Sequence, residues 1–382
     1  MEKKYTLLDT RNNVYIDSLV ISDSFNGFDI EISKERLHGG LQDGVDVLKV
    51  NTGRLSFTVL ITRGMNIQEL KCDDVSLQWN SPVQGPVHPS YVPIWASGGC
   101  GWLEGFSEWI ARCGLGSNGA PEFTDNGVLK YPLHGRLSNL PARKVEVVVD
   151  SQGVVLICGE VLEASVFGHS FLLKVLYRVE AGSSVLQVQD SVVNLSPNDD
   201  EFELLYHINT GKPFLSAGAR FHAAYHRMCP RDVHATNALD QWDSYREPIT
   251  GCNETCYFFD LVSDSQGLTS VVLNNSGEDR GVALTFPKTA FPCFTLWKTQ
   301  RPDNDIYVTG LEPATNYPNT RSFEKKNGRV VALAAGEERV FKFEVNVLTD
   351  KVAVRDAIRA IEKLQGRVEP IIEREPIATW CE

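Results

Sequence analysis

The chain is predicted to be all-β, folded as a sandwich or barrel. Three observations predict it. Short segments of alternating apolar and polar residues recur along its length, clusters of turn-forming residues separate them, and helical periodicity is sparse. Period-two alternation turns successive side chains to opposite faces of a strand, so each segment can offer one face to a core and the other to water.

The clearest strand segments are residues 56–61, 143–149, 171–179, 185–194 and 340–347. Between them stand turn clusters at 150–153, 180–183, 275–278 and 335–337, each carrying a glycine. Residues 98–127 are the least regular part. They are rich in glycine, with Trp102, Phe106 and Trp109 interleaved, and long loops of this kind are often functional. One helix is expected, at residues 349–366. Val354, Ala357, Ile358, Ile361 and Leu364 fall on one face, Thr349 or Asp350 can cap the start, and Gly366 ends it. The tail beyond it, with Pro370 and Pro376, is expected to be extended. No linker divides the chain, so residues 1–382 are expected to form one domain with 349–382 packed on it.

Composition excludes some partners. The chain has 382 residues, is 42% hydrophobic and 23% charged, and carries a formal net charge of -12. An acidic protein is a poor partner for nucleic acid or an anionic membrane surface, which attract basic patches. The nine cysteines are scattered, with no CxxC pair. Cys252 and Cys256 have no second Cys/His pair at zinc-site spacing. His222 and His226 are four apart, but their surroundings do not establish a helix that would align them. No metal and no cofactor is expected. The first residues lack a long apolar run and no segment approaches a membrane span, so a cytoplasmic protein is expected. The oligomeric state is not legible.

Four segments could carry chemistry: Arg63-Gly64-Met65-Asn66-Ile67, Leu133-His134-Gly135-Arg136, Tyr206-His207-Ile208-Asn209-Thr210-Gly211-Lys212-Pro213, and Gly310-Leu311-Glu312-Pro313-Ala314-Thr315-Asn316. His207 and Glu312 are each expected to end a strand-like segment at a turn, where a rigid sheet can present a titratable group. A histidine and a carboxylate together can give and take a proton near neutral pH. Glu203, Leu205 and His207 share one strand face; Phe202, Leu204 and Tyr206 share the other. Val308, Gly310 and Glu312 share a face, and Gly310 leaves space beside the carboxylate. Any one of these residues alone is more often structural. Lys298, Arg301 and Arg112 suit an anionic group of a ligand and are equally plausible as surface charges. Trp102, Trp109 and Trp297 could be core, or one of them could offer an aromatic face to a ligand.

These four motifs, in this order, resemble the aldose 1-epimerase (galactose mutarotase) superfamily, and within it a bacterial epimerase-like branch. The resemblance runs from the first strands to about Val347. It implies a large antiparallel β-supersandwich and an isomerase that interconverts sugar anomers. By the matching motifs it implies His207 as general acid, Glu312 as general base, and His134 and Arg63 as sugar-binding residues. Asn209, in the same His-x-Asn segment, and Asp303 complete the expected substrate-binding set. The histidine strand reads Leu-Leu-Tyr-His, and Gly135-Arg136 replaces the family's double glycine, so the sugar is left open. The alternatives are a non-catalytic sugar-binding or sensing protein on the same scaffold and, more remotely, a polysaccharide lyase.

Overall fold

The computed structural model describes residues 2–302 and 306–382. The predicted strands are present with small shifts at their ends: Leu55–Leu60, Ala142–Val149, Ser170–Glu180, Val185–Asn194 and Glu338–Leu348. Among the described residues they join a 10-stranded sheet, a 14-stranded sheet and a two-stranded ribbon. Pairing is antiparallel almost throughout; a short strand, Ile371–Ile372, runs parallel to Tyr225–Pro230. Together the large sheets make the expected all-β supersandwich.

The two large sheets share one buried apolar cluster. Val147, Ile157, Tyr177 and Val188 come from the 10-stranded sheet, and Phe57, Ile67, Leu204 and Tyr206 from the 14-stranded sheet. Inside this layer lies a polar knot. Arg112 grips Asp190 with two parallel bonds, Nε to Oδ2 at 2.6 Å and Nη2 to Oδ1 at 3.0 Å. Its Nη1 donates to Met65 O and Tyr177 Oη, each at 2.7 Å. Tyr206 Oη donates to Asp190 Oδ2 at 2.6 Å. Arg112 and Asp190 are both fully buried. Arg112 is therefore neither a ligand-binding nor a surface charge: all of its reach is spent between the sheets.

The glycine-rich stretch departs from expectation. Its middle, Ile110–Leu115, is a strand beside Asp200–Gly211 in the 14-stranded sheet. Every residue of it is buried, so neither face meets water and no alternation shows in the sequence. Before it run two short 3-10 turns, Ser97–Gly99 and Gly101–Gly105. His207 and Glu312 also lie further inside their strands than expected. The histidine strand continues to Gly211 and the glutamate strand spans Tyr307–Ala314, Pro313 included.

The C-terminal helix is Lys351–Gln365, within the expected bounds. Asp350 caps it, accepting from the backbone N–H groups of Val352 and Ala353. Val354 and Ile361 are buried against Val272, Ala283 and Leu348. The tail then crosses the body, and Trp380 and Cys381 pack near Tyr317.

Removing one partner of the buried pair leaves the other charged and desolvated. Asp190→Ala is expected to cost about 3–5 kcal/mol of unfolding free energy, seen as a large fall in the urea midpoint. A midpoint within experimental error of wild type would contradict this role.

Candidate functional site

The histidine and glutamate strands are direct neighbours. Ile208 pairs with Leu311 and Leu205 with Ala314, and the same count sets His207 opposite Glu312. Side chains opposite one another across an antiparallel pair share a face. Here it is the face turned away from the 10-stranded sheet, because Tyr206 and Ile208 fill the face toward it. His207 Nε2 lies 3.2 Å from Glu312 Oε1. Both residues are buried, at 4% and 2% exposure.

Small residues make the room around them. Ala111, Cys113 and Ala314 lie in one apolar cluster on this side of the sheet. A Cβ at Gly310 would fall 2.5 Å from Glu312 Oε1 and 2.9 Å from His207 Cε1, so a side chain there would displace both groups. Aromatic rings complete the walls. Ring centroids of Phe106, Trp297, His134 and Trp102 stand 5.0, 5.2, 5.5 and 6.3 Å from that of His207. Of the three tryptophans, Trp102 and Trp297 stand beside His207 together with Phe106, while Trp109 sits in the inter-sheet core.

Hydrogen bonds fix which ring nitrogens carry protons. Asn209 gives its amide N–H groups to Glu108 O and His207 O, both at 3.0 Å. Its Oδ1 is thus left to accept from His207 Nδ1, at 2.5 Å. The proton sits on Nδ1, and Nε2 faces Glu312. His134 is held the same way. Its Nδ1 donates to Asn118 O at 2.8 Å and its backbone N–H to Gly119 O at 2.9 Å. The proton on Nδ1 leaves Nε2 as the acceptor nitrogen of the ring. His134 adopts a left-handed backbone, φ 56°, followed by Gly135 at φ 71°. A Cβ at Gly135 would lie 2.2 Å from Ser117 O, which explains the His-Gly order.

Burial governs the charges. It pushes the His207 imidazole well below its ordinary range, the nearby His134 adds to this, and the Asn209 bond opposes it. Burial also pushes the Glu312 carboxyl well above its range, helped by Glu254 and opposed by Arg231. Both shifts favour uncharged forms, so the resting pair holds one proton between Glu312 and the Nε2 lone pair of His207. His134 is pushed by burial to about 4 and is neutral at pH 7. Glu312 Oε1, Trp102 Nε1 and Thr295 Oγ1 are buried without an aligned hydrogen-bond partner. Thr295 is the cross-strand neighbour of Glu312.

Two expected ligand-binding roles are corrected, and one that was left open is settled. Arg63 is 1% exposed, and its guanidinium makes five bonds inside the protein: two to Glu108, one each to Val87 O, Asn139 and Gly105 O. All five donors are used, so it braces the site from behind. Asn209 is fully buried, with both donors and its acceptor engaged, and it orients His207 instead of meeting a sugar. Lys298 is equally occupied, donating to Gln241 O, Trp242 O and Ser244 O. Asp303 lies outside the described residues. Sequence reasoning missed Glu254. It accepts from Trp297 Nε1 at 2.8 Å and pairs with Arg231 at 2.9 Å. Nothing local marks it, since it is an exposed residue just before a strand.

Comparisons with known proteins give the family and the fold. Residues 42–347 match the family model described as "Domain of unknown function (DUF4432)". A solved structure, a "putative aldose 1-epimerase" from Klebsiella pneumoniae subsp. pneumoniae MGH 78578, is 30% identical over 99% of this chain and 100% of its own, with TM-score 0.96. The chain belongs to this family, within the aldose 1-epimerase (galactose mutarotase-like) superfamily. More distant superfamily structures share the fold alone. A galactose mutarotase-like protein from Clostridium acetobutylicum has 15% identity and TM-score 0.57, covering 83% of this chain and 98% of its own. A galactose 1-epimerase from Lactobacillus acidophilus NCFM has 10% identity and TM-score 0.53, with the same coverages. The search of curated proteins gives no match. No helix among the described residues of this superfamily member is long and apolar enough to cross a membrane.

In 15N-edited NMR, His134 is expected to titrate near 4, and His207 to stay neutral with its proton on Nδ1 while the fold survives. The unfolded His134 imidazole takes its proton near 6.5 and the folded one near 4. Its stabilising contribution is therefore complete above 6.5 and lost as pH falls between those values. A His207 midpoint at or above 6.5 would overturn the assignment.

Proposed function

We propose that this protein is an aldose 1-epimerase-type isomerase that interconverts the α and β anomers of an aldose or a related sugar derivative. The observation that carries the reading is the buried His207–Glu312 pair, 3.2 Å apart on adjacent strands. The anomeric hydroxyl and the ring oxygen of a pyranose share one carbon, so an acid and a base this close can address both.

A sugar entering the aromatic cage meets a pair that holds a single proton. With that proton on His207 Nε2, Glu312 is a carboxylate and takes the proton of the anomeric hydroxyl. The bond between the anomeric carbon and the ring oxygen breaks, that carbon becomes an aldehyde, and the ring oxygen takes the proton from Nε2. Rotation about the first carbon–carbon bond turns the other aldehyde face inward. The chain hydroxyl then attacks it, giving its proton back to His207, while Glu312 returns its proton to the new anomeric hydroxyl. Protons and electrons balance over the cycle, and both groups end as they began.

Asn209 keeps the other imidazole proton on Nδ1, so that Nε2 is the nitrogen that works. His134, neutral with its Nδ1 proton bound to Asn118, offers Nε2 as an acceptor for a sugar hydroxyl. Trp297, Trp102 and Phe106 suit the apolar faces of a sugar ring and keep water from the pair.

Anomer exchange measured by two-dimensional exchange NMR or polarimetry tests the reading across free and phosphorylated aldoses. Wild type is expected to accelerate exchange of at least one. His207→Ala and Glu312→Gln should each lower that rate by roughly 10²–10⁴-fold with the fold intact by circular dichroism. Full rate in either variant would refute the roles. Binding without acceleration by wild type would mean a sugar-binding protein instead.

A further inference from the structure

His134 is not built on either strand of the reacting pair, yet both strands hold it. Its two anchors are the carbonyls of Asn118 and Gly119. Asn118 is gripped from two sides. Its backbone N–H donates to Glu203 Oε2 at 3.0 Å. Its side-chain amide exchanges bonds with that of Asn316, at 2.9 and 3.1 Å. Glu203 stands four residues before His207 on the histidine strand. Asn316 stands four residues after Glu312, just beyond the end of the glutamate strand. The support of the third site residue is thus bolted to the two strands that carry the first two.

We propose that Glu203 is a positioning residue for His134, acting through the Asn118 backbone, with Asn316 as the second half of the same clamp. This rests on the reading of His134 as a sugar-binding group. The consequence is that the histidine–glutamate pair and the sugar-holding imidazole move as one body. Glu203 is fully buried, and a carboxylate is a costly choice where a backbone N–H must only be anchored. A neutral amide would serve a purely structural turn. Its second oxygen, Oε1, is buried without a hydrogen-bond partner among the described residues, as is Nη1 of Arg321.

The surroundings make the clamp sensitive to protons. Burial raises the Glu203 carboxyl to about 7; Arg321 and the Asn118 N–H oppose this, and Glu324 and Glu122 add to it. Glu324 is paired with Arg329, and Glu122 with Lys130. Leu115, opposite Glu203, is tied through its backbone N–H to Glu163, which pairs with His169. Above about pH 7 the Asn118 N–H meets a carboxylate, and below it a weaker neutral acceptor.

The test reads His134 directly and needs no turnover. In wild type, the Nδ1–H and ring signals of His134 should shift with a midpoint near 7, well above the ring's own titration. Glu203→Gln should keep the Nδ1–H signal and abolish that midpoint. Glu203→Ala and Asn316→Ala should each broaden or lose it, leaving the His207 signal in place, and the double variant should add little to either. Where a substrate is in hand, Glu203→Ala is expected to lose about tenfold in kcat/KM, carried in KM, with kcat nearly kept. An unchanged His134 signal in Glu203→Ala would overturn the proposal. So would a midpoint near 7 that persists in Glu203→Gln, which folds by isosteric replacement should the alanine variant fail. A His134 signal that responds as expected in a protein without anomer exchange would keep the clamp and discard the isomerase.

Discussion

The buried bond between Arg112 and Asp190 is the constraint on which the site depends. It joins the strand Ile110–Leu115 of one sheet to Val185–Asn194 of the other, and Tyr206 reaches the same carboxylate. In a strand the face of each side chain is settled by its neighbours. With Tyr206 drawn inward to Asp190, His207 must point outward. With Arg112 drawn inward, Ala111 and Cys113 must point outward too, and they are small enough to leave a floor. A slip of one residue would exchange these sets and bury His207 in the core. Ion pairs buried in this way add little net stability over apolar packing, and their effect here is on register.

A second buried pair does for the loop what the first does for the sheets. Glu108 takes both ends of its charge into hydrogen bonds, from Arg63, Asn66 and the Ser107 N–H. Its backbone oxygen accepts from Trp79 Nε1 and Asn209 Nδ2. Asn209 in turn fixes the His207 tautomer. The path from Arg63 to the imidazole therefore runs through Glu108 and Asn209 with little slack. This explains how Arg63 could look like a ligand-binding residue in sequence: it is tied to the site, one layer behind it.

The alternating strands were legible because one face of each meets water, and the C-terminal helix because its apolar face and its Asp350 cap are local features. The strand Ile110–Leu115 was not, because burial on both faces erases alternation. The order of His134, His207 and Glu312 was legible as a resemblance, and the register that makes the last two neighbours needed the sheet itself. Glu203 was read correctly as sharing the face of His207, without any sign of its use, since its partner Asn118 is a backbone N–H with no residue type to recognise. Arg112 and Lys298 misled because a charged residue in sequence carries no mark of burial. Thr295 and Glu254 enter through pairing across strands, which a linear pattern does not contain.

The electrostatics of the pair follow from its enclosure. An apolar cage penalises a lone imidazolium and a lone carboxylate alike. A pair that shares one proton avoids both penalties, because proton transfer between Glu312 and His207 leaves the net charge at zero. Such a pair is cheap to bury, and burial favours the form in which Glu312 holds the proton. Tautomer control by Asn209 then matters as much as burial. A proton moved to Nε2 in the resting state would leave the lone pair facing Asn209, and Glu312 would have no acceptor opposite it. On this argument the ring-lined surroundings and the saturated asparagine are two parts of one requirement: a proton held between the two partners without net charge.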